Sequence, residues 1–210
     1  MTPAEKPRQS RTLILGLLPA SGVLLFMWLG EAVLHGRTHA IDDRIRMVVH
    51  ANSDPTLTAV MRAVSLIGEP WFLIALGAAT VVFLARIEGR RTVLLFAITV
   101  AGAEVLDQLL KLAFHRARPP AFFGLAEPMG YSFPSGHALV SCAFFGALAV
   151  FAAPRTVRRP RPWLYYMAAA LAIAAIGFSR VYLGMHYPSD VLGGYAAGVA
   201  WLFSAYLAGR

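Results

Sequence analysis

Residues 12–30 read TLILGLLPASGVLLFMWLG, a run without one charge that follows closely on Lys6, Arg8 and Arg11. As a helix rising 1.5 Å per residue, it comes close to the roughly 30 Å hydrocarbon thickness of a bilayer. The basic flank could introduce a secretory leader. The run is long for a leader's apolar region, however, and lacks a clear small-x-small cleavage site, so an uncleaved first span is expected. Five more charge-free runs follow at 70–85, 92–103, 138–153, 163–179 and 191–209. The run at 92–103 is short, but helical spacing continues through Glu104, Asp107 and Lys111. Those three share one face, which must point into the protein rather than into lipid.

The expected fold is therefore all-α. It is a six-transmembrane-helix bundle with spans at about 12–34, 64–85, 92–114, 136–153, 163–179 and 190–208, forming one integral-membrane domain over 1–210. Composition agrees: 58% of residues are hydrophobic, 14% are charged, and the mean hydropathy is +0.60. A soluble domain carries about 25% charged residues. The stretch His35–Gly68 holds Asp42, Asp43, Arg44 and Arg46 and then an apolar-periodic piece, Leu57–Ile67. It reads as an interfacial amphipathic segment between spans 1 and 2.

The net charge of +8 does not point to nucleic acid, because the arginines lie mostly between apolar blocks and no basic-aromatic groove accompanies them. Placing the N-terminus inside puts most of the 19 Lys and Arg on the inner face: Lys6, Arg8 and Arg11; Arg86, Arg90 and Arg91; Arg155, Arg158, Arg159 and Arg161; and Arg210. An N-in/C-in topology follows, with the segments after spans three and five on the outer face. The single cysteine, Cys142, excludes an intrachain disulfide and reads as small core filler. Gly194 and Gly198 suit close helix packing within the protein, and the choice between monomer and homodimer stays open.

Three clusters fall on that outer face. The first runs from Lys111 to Arg118-Pro119. Its two cations are seven residues apart and share a side if the helix persists, although Pro119 disfavours helix at Arg118. Basic residues at a helix end also simply snorkel. Asp107, one turn before Lys111, is expected to pair with it, and His115 and Arg116 read as interfacial. The second cluster is Phe133-Pro134-Ser135-Gly136-His137, where Ser135 suits an N-cap and the new helix offers free N–H groups to an anion. The third joins Arg180 to His186 and Asp190. There a carboxylate can hold one imidazole proton and leave the other nitrogen free to attack, or can merely cap a helix.

Together, Lys111, Arg118 and Arg180 supply three cations for phosphate oxygens, and two histidines supply a nucleophile and a proton donor. His137, His186 and Asp190 are also possible metal ligands. Three nearby cations would repel a divalent ion, so no metal and no cofactor are expected.

The ordered pattern Lys-x6-Arg-Pro, Pro-Ser-Gly-His and Ser-Arg-x5-His-x3-Asp, complete from Lys111 to Asp190, resembles the type 2 phosphatidic acid phosphatase family, membrane branch. The resemblance implies a metal-independent lipid phosphatase. In it Lys111, Arg118 and Arg180 bind phosphate and Ser135 and Gly136 add hydrogen bonds. His186 attacks phosphorus, Asp190 orients it, and His137 protonates the departing oxygen. Small size and an outward site are most similar to undecaprenyl-diphosphate phosphatases of a plasma (inner) membrane, with phosphatidylglycerophosphate and phosphatidic acid phosphatases next. A lipid phosphotransferase, a haloperoxidase and a non-catalytic transporter or scaffold are the other classes such a chain could serve. The apolar residues Phe122, Phe123, Leu125 and Met129 in the connector Pro120–Gly130 are expected to form a rim for a lipid tail, or a loop dipping into the interface.

Overall fold

Prolines at first turns and glycines between runs divide the chain into helices. Pro55, Pro70 and Pro188 each open one, where a missing N–H costs nothing. The structure is a computed structural model and describes residues 5–126, 129–152 and 163–209. In order they form α1 (Glu5–Leu34), α2 (His39–Ala51), α3 (Pro55–Ile67), α4 (Pro70–Ile87), α5 (Arg90–Phe114), α6 (Gly136–Ala147), α7 (Trp163–Tyr182) and α8 (Pro188–Ala208). A π-helical piece, Leu148–Ala152, continues α6. No strand occurs among the described residues. Arg155, Arg158, Arg159, Arg161 and Arg210, on which the expected topology partly rests, lie outside them, as do Ala153, Glu127 and Pro128.

Five helices are long and apolar enough to cross a membrane: Gly16–Leu34 of α1, and α4, α5, α7 and α8. The run expected as the fourth span, α6 with its extension, is apolar but shorter. Helix α6 packs against α4, α5, α7 and α8 and is the centre of the bundle. Its Ala138, Leu139, Ala143, Phe144 and Ala147 are fully buried, whereas Ile74, Leu109 and Leu171 stand open on the outside, facing lipid. The protein is therefore a multi-pass membrane protein.

Small residues set the two tightest contacts. A Cβ on Gly194 would come within 2.6 Å of the Ser135 carbonyl oxygen, and one on Gly198 within 2.7 Å of Cys142 Cβ. The Gly-x3-Gly pair thus seats α8 on α6, as its spacing suggests. Similarly, a Cβ on Gly22 would meet the backbone of Ala196 and Ala200, which lets α1 lie along α8.

The segment between the first two spanning helices is amphipathic, as expected, and also reaches inward. It forms two helices, α2 and α3, and α3 is capped by Asp54, whose carboxylate accepts from Leu57 N at 2.9 Å. Helix α2 is not merely interfacial, since its Asp42 and Arg46 are buried and reach into the protein. Arg46 donates to the Pro120 carbonyl at 2.7 Å and lies over the Phe122 ring.

The connector after α5 likewise turns inward. Phe122 stacks on His50 with centroids 4.0 Å apart, Phe123 stacks on Tyr182, and Phe122 N donates to Leu183 O at 3.0 Å. Gly184, at φ +76°, leaves room for that contact. Only Met129 of the four expected rim residues is fully open. Phe122 is thus a packing residue. Phe122→Ala should lower stability by about 1–3 kcal/mol and depress turnover of lipid and water-soluble phosphates alike. A rise in KM confined to long-chain lipids would show that the ring serves a lipid tail instead.

Candidate active site

The ends and starts of the helices that carry the three clusters gather at one end of the bundle: the start of α4, the end of α5, the start of α6, the end of α7 and the start of α8. The alternating direction of α4 to α8 produces this, because the connections from α5 to α6 and from α7 to α8 lie on the same side as the turn that opens α4.

Helix α5 stops at Phe114, earlier than Pro119 alone requires. His115 takes the left-handed conformation at its C-cap, with φ 49°, and its N–H returns to Lys111 O. Lys111 and Arg118 therefore do not share a helix face. Lys111 projects from the last turn beside Asp107, which accepts from its ammonium, and a Cβ on Gly136 would come within 2.9 Å of Nζ. Glycine at 136 is what lets the ammonium lie against the N-terminus of α6. Arg118 approaches from the connector instead. Its Nη1 donates to Met185 O at 3.3 Å and lies 3.1 Å from His186 Nε2.

That second contact fixes a tautomer. A guanidinium has no lone pair to give, so His186 Nε2 must accept and its ring proton must sit on Nδ1. Nδ1 lies 3.5 Å from Asp190 Oδ2. Burial pushes the imidazole pKa down to about 3, so the ring is a free base at neutral pH. The Nε2 lone pair is thus turned toward the Arg118 guanidinium, and Nδ1 faces Asp190.

Asp190 is held from several directions. Arg116 Nη1 donates to Oδ1 at 2.6 Å, Tyr187 N donates to Oδ2 at 2.8 Å, and Ser132 Oγ donates to Oδ2. The same guanidinium reaches Asp42 Oδ2 at 2.8 Å and Thr38 Oγ1 at 3.2 Å. Asp42 in turn accepts from Ser189 N at 2.9 Å. Arg116 and Asp42 thus form the wall behind Asp190, which corrects the reading of Arg116 as interfacial. A buried guanidinium needs compensation, and its two terminal nitrogens find it in Asp42 and Asp190 together with the hydroxyls of Thr38 and Ser189.

His137 opens the other side. It sits in the first turn of α6 after Ser135, which takes the N-cap position with φ −73° and ψ 114°. Ser135 makes no capping bond, and its buried Oγ has no hydrogen-bond partner among the described residues. Such an atom in a native fold calls for a ligand or water. Arg180, at the end of α7, donates to Ser65 Oγ of α3 and is within electrostatic reach of both His137 and His186. Two imidazoles, His137 and His186, and three cations, Lys111, Arg118 and Arg180, are thus brought within electrostatic reach of one another at this end of the bundle. Among the described residues, no three His, Cys, Asp or Glu side chains are grouped to hold a metal ion.

Glu69, absent from the motif reading, also belongs here. It closes the turn between α3 and α4, with Oε1 3.4 Å from His137 Nε2 and 3.7 Å from Arg180 Nη1. Its interaction with His137 is the main reason its carboxyl is held below the usual range. No local signal marked it, since the turn Gly68-Glu69-Pro70 reads as an ordinary helix start.

The chain is similar to known membrane phosphatases over most of its length. Phosphatidylglycerophosphatase B of Bacillus subtilis is 29% identical over 191 residues, which cover 88% of this chain and 91% of that protein. An undecaprenyl-diphosphatase of Sulfolobus acidocaldarius is 29% identical over 74% of this chain and 71% of its own. The crystal structure of a transmembrane PAP2 type phosphatidylglycerolphosphate phosphatase from Bacillus subtilis superposes with a TM-score of 0.82. It is 27% identical and covers 90% of this chain and 94% of that one. The profile of the PAP2 superfamily matches residues 92–210, the stretch holding all three clusters, and the chain is a membrane lipid phosphatase belonging to that family.

Proposed function

We propose that the protein removes the terminal phosphate of a membrane lipid through a phosphohistidine intermediate, at the outer face of a plasma (inner) membrane. The observation that carries this reading is the Arg118–His186–Asp190 line, in which the unprotonated imidazole nitrogen lies 3.1 Å from a guanidinium that can bind phosphate. His186 Nε2 forms a bond to phosphorus as the bond from phosphorus to the lipid oxygen breaks. The electron pair leaves with that oxygen, and the His137 proton goes to it. His186 keeps its Nδ1 proton, and the carboxylate of Asp190 offsets the positive charge that the phosphorylated ring acquires. Water then attacks phosphorus and gives its proton to His137, and the P–N bond breaks to release phosphate and restore both rings. Lys111, Arg118, Arg180 and the N-terminal amides of α6 bind the equatorial oxygens, where transition-state charge accumulates.

The outward placement rests on the positive-inside rule. Arg86, Arg90 and Arg91 lie at the far end of α4 and α5 from the site, which would put that end in the cytoplasm.

Two substrate classes fit. Undecaprenyl diphosphate is the expectation from size and outward placement. A glycerophospholipid monoester is favoured by the extent of similarity to the Bacillus subtilis phosphatidylglycerophosphatase B. Phosphate release by detergent-solubilised protein from a panel of both classes tests the reading. Activity should survive EDTA, because cations of the chain stand where a metal would act. Orthovanadate should inhibit by mimicking phosphorus in transit. Complete loss in EDTA with recovery on adding a divalent ion would overturn the proposal.

A further inference from the structure

We infer that Glu69 sets the leaving-group selectivity of the site and tunes it toward lipid phosphate monoesters over diphosphates. The inference rests on the reading of His137 as the group that protonates the departing oxygen, and it deepens that reading.

The argument starts from position. In-line displacement puts the leaving oxygen on the side of phosphorus away from His186, where His137 waits. Glu69 Oε1 is 3.4 Å from Nε2 of His137. Gly68 makes this approach possible: a Cβ there would come within 2.8 Å of His137 Cδ2 and 2.5 Å of Ile176 Cγ2. The turn is therefore held tight against the histidine, and Glu69, at the start of α4, has little freedom to withdraw.

A second observation puts Glu69 on the lipid side. The next residue, Pro70, begins an apolar groove of about 220 Å³ between α4 and α5, lined also by Leu73, Gly77, Phe96, Val100 and Val140. Val140 is one turn after His137 on α6. A hydrocarbon tail held in this groove would place the group that joins it to phosphate near Glu69, the residue that precedes Pro70.

Charge then separates the two substrate classes. With a monoester the departing group is an alkoxide that needs a proton, and a carboxylate beside His137 favours the imidazolium that supplies it. With a diphosphate the departing group is a lipid phosphate that carries its own negative charge. The same carboxylate, only partly exposed, repels it at close range.

Glu69→Gln removes the charge while keeping size and hydrogen bonding. Its kcat/KM should be measured on dioctanoyl phosphatidic acid and on farnesyl diphosphate, beside wild type, Glu69→Asp and His137→Ala. The monoester-to-diphosphate ratio is expected to fall at least about tenfold in Glu69→Gln, with monoester turnover reduced and diphosphate turnover raised. Glu69→Asp should lie between Glu69→Gln and wild type. Equal losses on both substrates in Glu69→Gln, or an unchanged ratio, would overturn the inference and make the carboxylate a structural cap of α4. The control separates the two readings. A monoester-selective loss in His137→Ala without one in Glu69→Gln sinks the inference alone, whereas equal losses in His137→Ala sink the acid assignment beneath it.

Discussion

His186→Ala is expected to abolish turnover of every substrate, while His137→Ala cripples monoester cleavage by about 10²–10⁴-fold and diphosphate cleavage far less. The asymmetry follows from what each ring is asked to do. His186 forms the bond to phosphorus whatever departs, and its free lone pair is fixed by Arg118 in front and Asp190 behind. His137 matters in proportion to how badly the departing oxygen needs a proton. A lipid alkoxide needs it urgently, and a lipid phosphate hardly at all. The measurement is kcat at saturation for one monoester and one diphosphate with each variant. Comparable losses on both substrates in His137→Ala would mean that this ring chiefly binds phosphate.

The second large effect is expected away from the reacting atoms. Arg116→Ala leaves Asp42 and Asp190 buried without their shared cation and should cost about 3–5 kcal/mol of stability. Thermal unfolding in detergent should show it as a marked fall in melting temperature. Turnover should collapse as well, since Asp190 loses the bond that holds it behind His186. Arg116→Lys should recover little, because an ammonium cannot reproduce the planar fork that meets both carboxylates at 2.8 and 2.6 Å. Unchanged melting in Arg116→Ala would show that Thr38, Ser132, Ser189 and Tyr187 suffice to hold the two carboxylates.

These two expectations differ in how far the sequence could have supplied them. The helical runs and the residues from Lys111 to Asp190 were legible because their chemistry is written locally. An uncharged run of span length has few soluble uses, and Ser135-Gly136-His137 at a helix start carries its anion-binding logic with it. Arg116 sat in plain view between two motif positions and was read as interfacial. What gives it a role is Asp42, which arrives from α2, and no spacing rule links the two. Glu69 was hidden for the same reason, since its partners come from α6 and α7. The end of α5 at Phe114 matches the expected span. The left-handed cap at His115, which brings Arg118 to the site from the connector rather than from the helix, leaves little trace in the sequence because it is set by backbone conformation at a non-glycine residue.

Cys142, the only cysteine of the chain, is sealed between α6 and α8, its Cβ within 2.7 Å of where a side chain on Gly198 would begin. The natural protein therefore already serves as a silent background for thiol chemistry. Single cysteines placed in the turn at Glu88 or on the exposed face of α2 can be tested with a membrane-impermeant maleimide in intact cells, without first removing the native thiol. Which of the two sites labels reveals the side of the membrane on which the phosphate opening lies, independently of any enzymatic assay.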